Sequence, residues 1–146
     1  MRAAYLDEGI ETLIRAFATS AYPNEGCGVL VGKMTPDSVI VVDVTIARNL
    51  WTERARDRYD MDPGDIHRTE RDARSRGLDV VGFWHSHPDH PAQPSGFDTD
   101  RAWVDYLYII CQTTTNGSGD IGGFMLEREG GGFVAVAMGS PDAVRS

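Results

Sequence analysis

Apolar residues recur at helical spacing near the start of the chain, at Leu6, Ile10, Leu13, Ile14 and Phe17. That period predicts one amphipathic helix, with Asp7 placed to cap it and Pro23 to stop it. Two β-branched runs follow at 26–32 and 39–47, bounded by Gly and Pro, and read as neighbouring strands. Residues 48–62 mix charges and aromatics without a clean period, which predicts a long loop with a short strand around Tyr59. Asp62 and Pro63 have the pattern of an N-cap and first helical residue, opening a helix that runs to about Arg76 and ends at Gly77. Residues 78–84 form a strongly apolar strand that leads straight into His85-Ser86-His87-Pro88. A proline-rich loop, a short helix within 98–106, a central strand at 107–112 and two closing strands around 122–129 and 133–138 complete the pattern. Helices alternating with strands in this order imply an α/β (α+β) fold, a single mixed β-sheet flanked by helices. The expected organisation is one domain over 1–140 and a flexible C-terminal tail at 141–146.

Composition narrows the function classes. A length of 146 residues suits one domain, and 41% hydrophobic with 25% charged residues excludes a disordered, collagen-like or coiled-coil chain. The net charge of -8 argues against a nucleic-acid partner, whose affinity depends on clustered cations. No apolar run approaches the ~18 residues needed to span a bilayer, and the first residues lack the apolar stretch of a signal peptide. The expectation is therefore a cytoplasmic protein with no membrane partner. Cys27 and Cys111 lie in or beside apolar runs and read as buried free thiols rather than a bridge. Eight of the thirteen arginines fall between Arg48 and Arg76, interleaved with acidic residues, which predicts an ion-paired solvated face.

The chemistry concentrates at the end of the 78–84 strand. Residues two apart on a strand share a face, so His85 and His87 can reach one metal while Ser86 points the other way. Asp98 lies eleven residues past His87 and is a third candidate ligand. Two histidines and an aspartate with an open fourth position are a catalytic zinc pattern. The bland alternatives are an exposed histidine pair and a Ser95-x-x-Asp98 capping motif that needs no metal. His67 on the charged helix reads as a surface residue, His90 in the proline-rich loop as a minor candidate for a ligand or substrate contact, and Trp84, Trp103, Phe83 and Tyr106 as core. Trp51 and Tyr59 are placed where they could touch substrate.

The joint spacing of Glu25, His85-Ser86-His87-Pro88, Ser95 and Asp98 resembles the JAMM (MPN+, JAB-domain) zinc metallopeptidase family without departure. The resemblance covers about residues 5–138 and implies a JAMM/MPN fold, somewhat like that of cytidine deaminases. It implies that His85, His87 and Asp98 hold Zn2+, that Glu25 is the general base outside the ligand shell, and that Ser95 helps stabilise the oxyanion. The compact chain is most similar to the short prokaryotic, Mec-like branch. That implies hydrolysis of the bond after the C-terminal Gly-Gly of a small ubiquitin-like or sulfur-carrier protein, whose flexible tail would add as a strand beside the metal. The arginines within 48–58 are candidates for steering an acidic carrier. One alternative is a noncatalytic MPN scaffold that binds partners. A nucleoside deaminase is disfavoured, because its H-x-E and P-C-x-x-C signatures are missing. The carrier, the type of bond cut and whether the chain forms a homodimer are open at this stage.

Overall fold

A computed structural model describes residues 3–51 and 59–139 and builds them around one mixed sheet of eight strands. In chain order the elements are β1 (Ala3–Leu6), α1 (Ile10–Ala21), β2 (Cys27–Met34), β3 (Ser38–Ala47), α2 (Pro63–Ser75), β4 (Asp79–Pro88), α3 (Gly96–Arg101), β5 (Leu107–Thr114), β6 (Gly117–Leu126), β7 (Phe133–Val136) and β8 (Met138–Gly139). The fold class is the one the sequence predicts. Among the described residues, no helix is long and apolar enough to cross a membrane.

The sheet order is β7-β6-β5-β4-β2-β3-β1-β8. β7 and β8 occupy opposite ends of that order yet are separated in sequence only by Ala137, whose carbonyl accepts from the Ala4 N–H. The last stretch of chain therefore joins the two ends of the strand order through one short segment. The main apolar cluster fills the side facing α1, where Ile14, Leu30, Val41, Trp84, Leu107 and Ile109 are buried. Each such aliphatic side chain contributes roughly 1.5–3 kcal/mol by leaving water. A second cluster on the opposite face, under α2, contains Val29, Val31, Ala73, Phe83 and Tyr108.

Several boundaries differ from expectation. The stretch predicted as helical from Leu6 is divided: Ala3–Leu6 pairs in parallel with β3, burying Ala4 and Leu6 at strand spacing. Helix α1 begins only at Ile10, after Gly9 takes a left-handed φ of 85° that favours glycine, so Asp7 is not its cap. β4 continues through the His85–Pro88 motif rather than ending before it. Helix α3 is shorter and earlier than expected, and Trp103 beyond it is 57% exposed rather than in the core. The proposed tail at 141–146 and the loop residues 52–58 lie outside the described residues.

The crossover from β4 to β5 positions the site. These strands pair in parallel, Gly82 with Leu107 through Pro88 with Thr113, so the chain must return the length of β4 before β5 begins. It does so over the α2 side, where Ala92 packs on Ile110 and Phe83 meets Trp103 and Tyr106. α3, in the middle of that return, carries Asp98 back over the end of β4.

Candidate metal centre

Strand alternation places the motif as its spacing predicts. Trp84 and Ser86 face α1, while Phe83, His85 and His87 face the α2 side. Ser86 is buried, and its Oγ accepts a 2.7 Å hydrogen bond from the Gly26 N–H. Its own N–H donates to the Gly26 carbonyl at 3.0 Å, so the residue between the two histidines grips the segment that bears Glu25.

Glu25, His85, His87 and Asp98 are all buried. One atom each from Glu25, His85 and His87 falls within 4.8 Å of the others, an arrangement able to hold a metal ion. Asp98 comes closer still: its Oδ2 is 3.1 Å from His87 Nε2 and 3.3 Å from His85 Nε2, and the two Nε2 atoms are 3.2 Å apart. In a tetrahedral zinc site with bonds near 2.0–2.1 Å, neighbouring ligand atoms stand about 3.3–3.4 Å apart. The triangle formed by the two imidazoles and Asp98 has nearly that edge. Ser95 caps α3 by accepting from the Asp98 N–H, and its own N–H donates to Asp98 Oδ2, so the cap and the contact with the imidazoles share one carboxylate. Ser95 itself is exposed beside the cluster.

The hydrogen bonds also set the ring protonation. His87 Nδ1 lies 2.8 Å from the Pro91 carbonyl, which can only accept, so Nδ1 carries a proton, and whenever the ring is neutral its lone pair is on Nε2, toward the cluster. His85 Nδ1 is buried with no hydrogen-bond partner among the described residues, and the Tyr59 ring stacks on that imidazole at 4.5 Å. Burial pushes the His85 pKa down, keeping the ring neutral. Burial opposes charge on His87 as well, but hydrogen bonds with Asp98 and Pro91 outweigh it and raise that group. For Asp98, burial would raise the carboxyl, but hydrogen bonds with the two imidazoles carry it far below the usual carboxylate range. Two imidazole nitrogens and a carboxylate oxygen that converge on one point form a donor set able to hold a cation. The donor set fits zinc.

The remaining candidates fall outside this cluster. Cys27 is buried in strand packing, its thiol within 3.6 Å of the Ala47 carbonyl and pushed up to about 12 chiefly by burial, which makes it a poor metal ligand. Cys111 is likewise a buried free thiol. His90 and His67 are exposed. The described arginines of 48–76 pair largely as expected, Arg48 with Asp62 and Asp65, Arg68 with Asp65, Arg74 with Glu70, and Arg76 with Asp43 and Asp72. An apolar cavity of about 330 Å³ adjoins the centre, with Tyr59, Met61, Ile66, Phe83, Trp103 and Tyr108 in its walls. Tyr59 is shared between this cavity and the His85 ring.

The mixed sheet, with two strand histidines meeting a carboxylate returned by the crossover, defines the class. Residues 7–121 match the prokaryotic homologs of the JAB domain, and the chain belongs to that family. A desampylase of Haloferax volcanii is 36% identical over 110 residues, which span 75% of this chain and 77% of that protein. A solution structure from Desulfitobacterium hafniense superposes with a TM-score of 0.79 at 27% identity, covering 92% of this chain and 90% of that one. Another, from Salinibacter ruber, has a TM-score of 0.74 at 32% identity, with coverage of 94% and 92%.

Proposed function

We propose that the protein is a zinc-dependent peptidase or isopeptidase that hydrolyses the bond after the C-terminal Gly-Gly of a small ubiquitin-like or sulfur-carrier protein. The observation that carries this reading is the triangle of His85 Nε2, His87 Nε2 and Asp98 Oδ2, with Glu25 buried beside it. Similarity to a desampylase supports a protein-modifying hydrolase over a binding scaffold. In this reading His85, His87 and Asp98 are the ligands, and Glu25 stands next to them as general base. Bound there, zinc supplies a Lewis acid that polarises the scissile carbonyl and acidifies water.

The chain's own groups do the rest. Glu25, buried and close to both imidazoles, takes a proton from the attacking water. It then delivers that proton to the departing amine, which leaves poorly without one. Ser95, exposed beside the cluster, presents its Oγ where the carbonyl oxygen gains charge, while still accepting from the Asp98 N–H. Pro91 holds His87 in the tautomer that leaves Nε2 free. The cavity behind Tyr59 offers an apolar wall for a side chain of the extended tail.

The test is cleavage of a ubiquitin-like carrier extended beyond Gly-Gly, followed by mass spectrometry. Wild type should release the extension, Glu25→Gln should retain zinc and lose turnover by at least about 100-fold, and His87→Ala should lose both. Full turnover in Glu25→Gln would remove the assigned base. Wild-type turnover without metal would overturn the mechanism.

A further inference from the structure

We infer that Asn49 is a positioning residue for Glu25, an inference that rests on the hydrolytic reading above. Glu25 precedes β2, and the ladder between β2 and β4 reaches only Cys27, opposite His85. The main chain at Glu25 therefore needs anchors of its own. Ser86 supplies one, through Gly26. Asn49 supplies another: its Nδ2 donates to the Glu25 carbonyl at 3.2 Å.

The same side chain closes the neck of the long loop. Asn49 Oδ1 accepts from the N–H groups of Trp51 and Asp60, each at 3.0 Å. The Leu50 N–H donates to the Asp60 carbonyl at 2.8 Å, and Asn49 bridges Met61. The amide orientation follows from chemistry, since both groups at Oδ1 are donors and the group at Nδ2 is an acceptor. Next to Asp60 in that neck is Tyr59, whose ring lies on His85. One carboxamide thus refers the base-bearing segment and the ring stacked on His85 to the same neck. A general base must reach its proton within about 2.6–3.2 Å, and a misplacement of about 1 Å can cost about 100-fold in rate.

Asn49→Asp separates two functions of the side chain: it removes the Nδ2 donor to the Glu25 carbonyl and keeps an oxygen for the Trp51 and Asp60 N–H groups. Asn49→Ala removes the donor and the acceptor together. The experiment compares these variants with wild type, Glu25→Gln and the double variant Glu25→Gln/Asn49→Asp. It reads zinc content, amide hydrogen exchange at Trp51 and Asp60, and kcat and KM on the extended carrier. Zinc content should be unchanged in Asn49→Asp, and amide protection should persist there and drop in Asn49→Ala. In both single variants kcat should fall about 10- to 100-fold with KM within about threefold. In the Glu25→Gln background, Asn49→Asp should cost less than about twofold more, because both act through one group. Wild-type kcat in Asn49→Asp, loss of its zinc, or an equal penalty in both backgrounds would overturn the role of Asn49 while leaving the hydrolytic reading intact. Full turnover in Glu25→Gln would overturn both.

Discussion

Ser86→Ala tests whether the face assignments within the His85–Pro88 motif are correct. The substitution removes one buried oxygen and leaves almost no cavity, so its cost is that of the hydrogen bond. The Gly26 N–H, which donates to Ser86 Oγ at 2.7 Å, loses its acceptor in a half-buried position. Leaving such a group unpaired costs about 1–3 kcal/mol, and partial access to water puts this case at about 1–2 kcal/mol. The unfolding entropy of a 146-residue chain is about 0.3 kcal/mol per degree, so Tm should fall by about 3–7 °C. The assay is thermal unfolding followed by circular dichroism with a chelator present, so that metal binding does not mask the change. Zinc stoichiometry measured separately should match wild type, because Ser86 faces α1 and not the cluster. A Tm shift below about 1 °C would refute the energetic reasoning. Loss of zinc would refute the assignment of faces.

Two further outcomes follow from the geometry. Trp103→Ala opens a wall of the apolar cavity at a 57% exposed position, so it should raise KM for the extended carrier by about 3- to 30-fold with kcat within about twofold. An unchanged KM would exclude the cavity from substrate binding. Zinc affinity should fall with acidification, because the ligand rings must be neutral: His87 is raised above 6.5, so protons compete for it already at near-neutral pH. Calorimetric titration between about pH 7 and about pH 5 should show a loss of about tenfold per unit for each proton displaced, and a flat profile would contradict histidine ligation.

Much of the site was legible in the sequence because its logic is local. Strand parity alone set His85 and His87 on one face, and Ser95-x-x-Asp98 announced a capping box that the structure forms at α3. The buried strands were legible too, since β-branched runs between Gly and Pro leave few other structures. What escaped was non-local. Ala3–Leu6 becomes a strand only because β3 and β8 offer it partners, and the two-residue β8 is too short for any pattern to register. Trp103 looks like core by composition, yet the crossover leaves it at the mouth of a cavity. Asn49 was invisible for the same reason: it bonds to Glu25, Trp51 and Asp60, and the first is 24 residues away. The stacking of Tyr59 on His85 needs the loop neck to be closed first.

The central claim is a division of labour between two buried carboxylates, Asp98 as metal ligand and Glu25 as proton carrier. Both lie close enough to the imidazoles to bind a metal, so geometry alone permits either assignment. Zinc per chain, measured by elemental mass spectrometry on Glu25→Gln and Asp98→Ala after dialysis, separates them. Glu25→Gln should carry about one zinc per chain like wild type, and Asp98→Ala should lose most of its metal. Zinc retained by Asp98→Ala and lost from Glu25→Gln would reverse the assignment and contradict the proposed chemistry.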